Sequence, residues 1–450
     1  MKTLPKVPWA WSPERPQNRL LKRGGVRFDF GDRLSRACDV VQGWFMVTEA
    51  TSATDKTPWR LVFLLVGAGV VGAFQIGKAP PVLPAIRTEL AMSLFLAGWV
   101  LSALNVVGLL LGSVAGAIAD GFGYRRVLMA GLFCQAAGSF AGSWSAGPTL
   151  LLATRILEGL GFVSAAVAAP ALIFRVTQPR DIRIALSMWS CYVPAGTAIM
   201  MFLTPFLTDL FGWRGLWQAN AGILAAYGLF VAFATKGLVG RSIQRAFRPR
   251  QLWEDMKRTS TAAGPLLLAT TFSAYALMWL AVMGFLPTLL VEEYGFKPDH
   301  ASFLTALMVS MNVPGNLVGG WLLHRGLHRS RLVVSAIVIM GFCSLAIYTL
   351  SLPFFLRYLA CLAFSGCGGV LPASVMSAVP VHAPEPRLVG TTNGLIIQGS
   401  NLGQVIGPPT LALIVSATGG WEGGSWFLGS VALVGVFLAA CLARLERRHG

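Results

Sequence analysis

The stretch Gly116-Ala-Ile-Ala-Asp120-Gly121-Phe122-Gly123-Tyr124-Arg125-Arg126 decides the fold. It is short, charged and punctuated by glycines, and it separates two apolar runs, 94–118 and 127–143. A helix needs ~20 apolar residues to cross the hydrocarbon core of a bilayer, and both runs approach or exceed that length. So tight a turn between two such runs imposes an antiparallel helix pair. The adjacent Arg125 and Arg126 place the turn on the cytoplasmic side by the positive-inside rule. The orientation of every other segment follows from this one.

Composition supports the same class. The 450 residues are 55% hydrophobic and 12% charged, whereas soluble domains carry about 25% charged residues. Long apolar runs recur along the chain, and the short alternating segments of a membrane β-barrel are absent from the sequence. The net charge of +17 would suggest nucleic acid in a soluble protein. Here the basic residues collect in particular loops, which is a topology signal, and no nucleic-acid partner is expected. The seven cysteines are Cys38, Cys134, Cys191, Cys343, Cys361, Cys367 and Cys441, all but the first in apolar runs. They show no metal-ligand spacing and no extracellular pairing, and the sequence has no Asn-x-Ser/Thr site. These features favour a bacterial inner membrane and imply neither metal nor cofactor.

Residues 1–57 are polar, basic and proline-containing, and read as a cytoplasmic tail without a packed core. Met46 lies close enough to the first span to serve as an N-terminus itself. Twelve spans follow. Six (59–85, 94–118, 127–143, 148–174, 185–210, 216–235) form a first bundle over 58–236. Six more (264–291, 301–323, 332–351, 353–379, 388–417, 425–442) form a second over 264–443. The linker 237–263 is basic and contains a candidate amphipathic surface helix, and 444–450 is a second cytoplasmic tail. With both termini inside, most of the 36 Lys and Arg residues fall on the cytoplasmic side. Arg87, Arg214, Lys297 and Arg357 remain outside, and Lys78 and Arg155 lie within spans.

The two halves repeat one another. Gly116-x-x-x-Asp120 has a counterpart in Gly320-x-x-x-His324, at an offset of 204 residues. Arg183 and Arg387, and Pro205 and Pro409, share that offset, while Phe211-Gly212-Trp213 returns as Gly419-Gly420-Trp421 at 208. Gly159-x-Gly161 returns as Gly366-x-Gly368 at 207. The pattern is an all-α integral membrane fold of two pseudo-symmetric six-helix bundles, the layout in which transporters hold a site at the midplane. Gly108, Gly112 and Gly116 share one helix face, as do Gly315 and Gly319 with Gly320 beside them, so close helix approach is expected at both.

Ionisable residues within spans are costly and mark candidate function. Arg155 and Glu158 are three apart on the fourth span and share a face. They serve either a transport step or a self-neutralising ion pair. Lys78 sits deep in the first span, beside Gln75, Gly77 and Pro80-Pro81. It either snorkels to the interface or faces a central cavity and binds an anionic group.

The Gly116 turn resembles the signature loop of the major facilitator superfamily, G-x-x-x-D-[RK]-x-G-R-[RK]. Gly116, Asp120, Gly123 and Arg125 match; Gly121 and Tyr124 depart from it, and Arg126 stands in for the missing charge. The string Arg155-Ile-Leu-Glu158-Gly159-Leu-Gly161 is similar to the family's fourth-span motif R-x-x-[QE]-G-x-G. By this resemblance Asp120, with Arg125 or Arg126, locks the halves together in one state. Spans 1, 4, 7 and 10 line the cavity, so Lys78, Arg155, Tyr275 and Trp279 would meet. Asn312, Gln398 and Asn401 add polar groups on spans 8 and 11.

Two cations against one acid imply a cavity attractive to anions. The expected function is therefore proton-coupled uptake of a small organic or inorganic anion by alternating access, in a monomer. The general texture is that of the cyanate- and nitroimidazole-porter branch. Proton-driven drug or metabolite efflux is the alternative. It is weakened by Gln75 where some antiporters carry an acid, and by Cys191-Tyr-Val-Pro194-Ala-Gly196, a poor match to the antiporter motif. A transporter-like sensor is more remote. No enzyme motif such as H-E-x-x-H, G-x-S-x-G or a phosphate loop occurs.

Overall fold

A computed structural model describes residues 56–236, 249–349 and 351–449, and these are helical with no strand among them. Nearly all of the expected N-terminal tail and most of the linker lie outside the described residues. The first span is two helices, α1 (Trp59–Gly77) and α2 (Ala79–Glu89), joined at Lys78. Pro80 stands in the first turn of α2, where its missing N–H has no helical partner to lose. The double proline therefore interrupts the helix without ending the span. Helix α3 (Leu94–Ser102) is capped by Ser93, whose Oγ accepts from the Leu96 N–H at 3.2 Å. A 3-10 turn (Ala103–Asn105) leads into α4 (Val106–Phe122). Gly123, at φ +88°, makes the turn that separates α4 from α5 (Tyr124–Gly142).

Helix α6 is Pro148–Val176 and α7 is Ile182–Ser190. Helix α8 extends from Tyr192 to Ala234, and Gly212, non-helical at φ 63°, kinks it into two rods. The loop expected between spans 5 and 6 is thus a single residue. Helix α9 (Pro249–Thr261) is the linker helix. The second half follows as α10 (Ala263–Tyr294), α11 (Pro298–Ser310), α12 (Asn312–His324), α13 (Arg329–Tyr348), α14 (Phe354–Gly368), α15 (Val370–His382), α16 (Val389–Thr418) and α17 (Gly423–His449).

Among the described residues, nine helical stretches are long and apolar enough to cross a membrane. The α8 stretch counts as two rods, and α5 and α16 complete the twelve. Both are less apolar than the other spans for a visible reason: α5 opens on Tyr124-Arg125-Arg126, and α16 carries Asn393, Gln398, Ser400, Asn401 and Gln404.

Within the first half α1 packs on α8 and α5 on α6; within the second α10 packs on α16 and α13 on α17. Between halves, α16 lies along α3 and α4, and α11 lies along α8. Small residues permit the first of these contacts. A Cβ on Gly98 would stand 2.8 Å from Pro409 Cα, and one on Gly112 would stand 3.0 Å from Gln398 Cγ. Gly108 faces the Asn401 amide. Gly116 and Gly320, expected to continue the two packing faces, look onto open space. Gly315 and Gly319 pack against the break between α14 and α15, in their own half.

Gly159 of α6 lies directly against the Leu104 carbonyl, so that any Cβ there overlaps backbone. Gly159→Val should therefore cost ~1–3 kcal/mol through overpacking. It should melt below wild type in detergent, whereas Gly116→Ala should not. Equal losses for the two variants would contradict this packing.

Candidate functional site

The break at Lys78 and the three-residue spacing on α6 build one ionic cluster. Lys78 Nζ lies 2.7 Å from Glu158 Oε1, and Arg155 Nη1 lies 2.5 Å from Glu158 Oε2. One carboxylate therefore holds two cations, leaving a triad of net charge +1. All three residues are sealed from solvent: Lys78 and Glu158 are 0% exposed and Arg155 is 1%. Charges this deep persist only when every donor is satisfied. Arg155 Nη1 also donates to the Gln75 carbonyl at 2.7 Å, and Nε donates to the Val100 carbonyl at 3.0 Å. Gln75 is in the last turn of α1, whose carbonyls lose helical partners when the helix stops at Gly77. The break in the span at Lys78 thus leaves the Gln75 carbonyl as the acceptor that positions the guanidinium. Lys78 Nζ donates to Ser139 Oγ at 2.7 Å, and Ser139 donates to the Trp217 carbonyl at 2.8 Å. The ammonium also lies 4.3 Å from the centroid of the Trp217 ring.

Two expectations for Lys78 change here. It does not snorkel, and in this conformation it does not face an open cavity. The Coulombic pull of Glu158 and the satisfied donors hold it inside the first half, among α1, α5, α6 and α8. Around it lie further polar groups that a reading of ionisable residues alone misses. Gln75 Nε2 donates to the Gln135 carbonyl at 3.3 Å. The Gln75 Oε1, both amide atoms of Gln135, both of Asn220 and the Trp217 Nε1 are buried without partners among the described residues. Gln135 and Ser139, four apart on α5, carry the one sequence signal that points here.

Tyr275 and Trp279 do not join this cluster. Asn312 Nδ2 donates to Tyr275 Oη at 3.3 Å and to the Ser365 carbonyl at 3.2 Å, a polar group inside the second half. Phe272 stacks on Tyr275 with ring centroids 5.5 Å apart, and the buried Trp279 Nε1 has no partner among the described residues. Gln398 and Asn401 occupy the interface between halves. Gln398 Nε2 donates across it to the Leu109 carbonyl at 3.0 Å, while Asn401 Nδ2 turns back to the Ile397 carbonyl of its own helix at 2.8 Å. The sequence-predicted residues thus fall into three groups rather than one.

At the signature turn, Arg125 donates to Thr235 Oγ1 at 2.9 Å and to the Ala232 carbonyl at 2.8 Å. It caps the C-terminal end of α8, where a cation is favoured. Arg125 is thereby tied to its own half, and Arg126 is exposed. The Asp120 side chain lies outside the described residues. The linker helix is held to the loop before α16 by Arg387–Asp255 at 2.7 Å and Arg258–Glu385 at 3.1 Å. The Arg387 hydrogen bond lowers the pKa of the Glu385 carboxyl below the usual carboxylate range.

A family model, Major Facilitator Superfamily, matches residues 64–408 and 267–450. The chain belongs to the major facilitator superfamily. It is 25% identical over 392 residues to a gallate transporter of Pseudomonas putida, covering 79% of this chain and 86% of that one. It is 23% identical over 406 residues to the 2-nitroimidazole transporter of Escherichia coli K12, covering 88% and 96%. A bacterial homolog of the human lysosomal transporter Spinster, solved in an inward-facing and occupied conformation, superposes with a TM-score of 0.71 at 14% identity. It covers 88% of this chain and 98% of its own. The protein is a multi-pass membrane transporter that moves a small molecule, and it is not an enzyme.

The triad makes a stability ordering. Lys78→Met leaves a neutral Arg155–Glu158 pair. Glu158→Leu strands two buried cations without a counter-ion, a loss of ~3–5 kcal/mol by the cost of breaking buried pairs. Melting of the purified protein should drop far more for Glu158→Leu than for Lys78→Met. The reverse order would show that the triad is not held as described.

Proposed function

We propose that the protein takes up a small organic anion together with a proton, by alternating access, across the bacterial inner membrane, with both termini in the cytoplasm. The observation that carries this reading is one buried carboxylate shared by two cations. A proton on Glu158 removes its charge and releases Lys78 and Arg155 from it. The freed positive charge attracts an anion to the path between the halves. Departure of the anion favours renewed ionisation of Glu158, which returns the proton. Neither the loaded nor the empty state then carries an isolated buried charge of large cost. Proton and monoanion entering together also move no net charge, avoiding the ~2.3 kcal/mol per charge that a 100 mV potential otherwise imposes.

The substrate class draws support from the gallate transporter, since gallate is a small aromatic carboxylate. The surplus of cations over acids in the triad agrees with such a ligand. The orientation rests on the basic residues of the linker sequence and on Arg125 and Arg126, by the positive-inside rule. The monomeric state is taken as the simplest arrangement in which one chain supplies both halves.

Proteoliposome uptake of labelled gallate tests this. Wild type should accumulate the label only under an inward proton gradient. Glu158→Gln, which fixes the uncharged state, should lose gradient-driven accumulation yet still exchange internal for external label. Gradient-driven accumulation by Glu158→Gln would overturn the coupling role. Expulsion of a lipophilic cation with no movement of anions would replace uptake by efflux.

A further inference from the structure

The repeat is broken at two charged positions, and together the breaks join the halves. In the first half, Leu83-Pro84 is followed five residues after the proline by Glu89, at the end of α2. In the second, Leu286-Pro287 is followed at the same spacing by Glu292, near the end of α10. Each glutamate faces a tryptophan of its own half. Trp213 Nε1 donates to Glu89 Oε2 at 2.5 Å, and Trp421 Nε1 donates to Glu292 Oε2 at 3.2 Å. These tryptophans lie in matching tetrads, Gly212-Trp213-Arg214-Gly215 and Gly420-Trp421-Glu422-Gly423.

The tetrads differ at their third residue. Arg214 pairs with Glu89, lies over the Trp213 ring and donates to the Ser145 carbonyl at 2.9 Å, so the first half satisfies its own glutamate. The second half has an exposed Glu422 at that place, which cannot serve Glu292. The missing cation comes from the other half. Arg87 Nη1 lies 2.7 Å from Glu292 Oε1. The position that matches Arg87 in the second half is Leu290. One half thus has a surplus cation and the other a surplus acid, and they meet across the interface.

The surroundings fit a closure. Helix α2 packs on α10 at this end of the bundle, opposite the linker helix. Ser302 Oγ of α11, 1% exposed, donates to the Met201 carbonyl of the other half at 2.6 Å. Arg87 and Glu292 are 25% and 40% exposed. A partly solvated pair is weak enough to be broken in each cycle, whereas the buried triad is not exposed to competition by water.

We propose that Arg87 and Glu292, with Trp421 orienting the carboxylate, form the gate that closes the end of the transport path opposite the linker. The gate depends on neither the substrate nor the coupling ion. It is tested without them, so its failure is separable from failure of the uptake reading.

The experiment measures maleimide labelling of full-length, detergent-solubilised Ser302→Cys. The native cysteines are accounted for by the same protein without that substitution. Adding Arg87→Glu sets two carboxylates against each other and should speed labelling at position 302 by roughly fivefold or more, as expected for a modest bias on a two-state equilibrium. The exchange Arg87→Glu/Glu292→Arg should restore the slow rate, which also shows that the protein is folded. Arg214→Glu, which breaks the ion pair confined to one half, should leave the rate unchanged. Three outcomes would overturn the assignment: no acceleration with Arg87→Glu, no restoration by the exchange, or equal acceleration by Arg214→Glu.

Discussion

One carboxylate sealed inside the first bundle, Glu158, must balance two cations. Much of the local structure meets that constraint. The first span breaks at Lys78 so that the Gln75 carbonyl is free for the Arg155 guanidinium. Span 3 supplies Ser139, span 6 supplies the Trp217 ring and carbonyl, and the end of α3 supplies the Val100 carbonyl. Five spans therefore meet around one acid. Removing the acid exposes every one of these groups to the cost of an unpaired buried charge, which is why the cluster unites structural and functional demands.

A charge network so enclosed suits a transporter only if a small change in occupancy alters it. Protonation of the shared acid is such a change, because it alters the balance of the triad by one full charge without moving a helix. The buried side-chain amides of Gln135 and Asn220, without partners among the described residues, add groups able to respond. The second half is built differently. Its polar group, Asn312 with Tyr275 and the Ser365 carbonyl, is neutral, and its buried cation, Arg357 near the start of α14, is held by the Ile347 carbonyl and the Tyr294 hydroxyl. The pseudo-symmetry of the backbone is not matched by a symmetry of charge, either in the spans or at the bundle end that carries Arg87 and Glu292.

The fold was legible because membrane length and loop charge are simple constraints. The Gly116 turn, the apolar runs and the offset of about 204 residues that relates the halves were enough to predict twelve rods and two bundles. The family match and the superposition agree with the all-helical membrane fold. Details that depend on one residue's backbone were not legible: Gly212 does the work of a whole loop, and Gly116 turns out to face open space. For the site, the i,i+3 spacing correctly brought Arg155 beside Glu158. Lys78 was harder to place, because a lysine's long stem leaves its end point to tertiary contacts. Those contacts come from Ser139 and Trp217, which sequence spacing does not relate to span 1. Family geometry groups Tyr275 and Trp279 with Lys78, yet packing of the second half holds Tyr275 on Asn312.

The central claim is that the charge of Glu158 is exchanged against an anion. It is tested most directly by counting protons when the anion binds. Gallate added to purified protein in weakly buffered detergent solution, followed with a pH dye, should draw about one proton per protein from solution near neutral pH, as linkage between the two binding events requires. The same addition to Glu158→Gln should draw none while gallate still binds. Binding of gallate to wild type with no proton taken up would contradict the account.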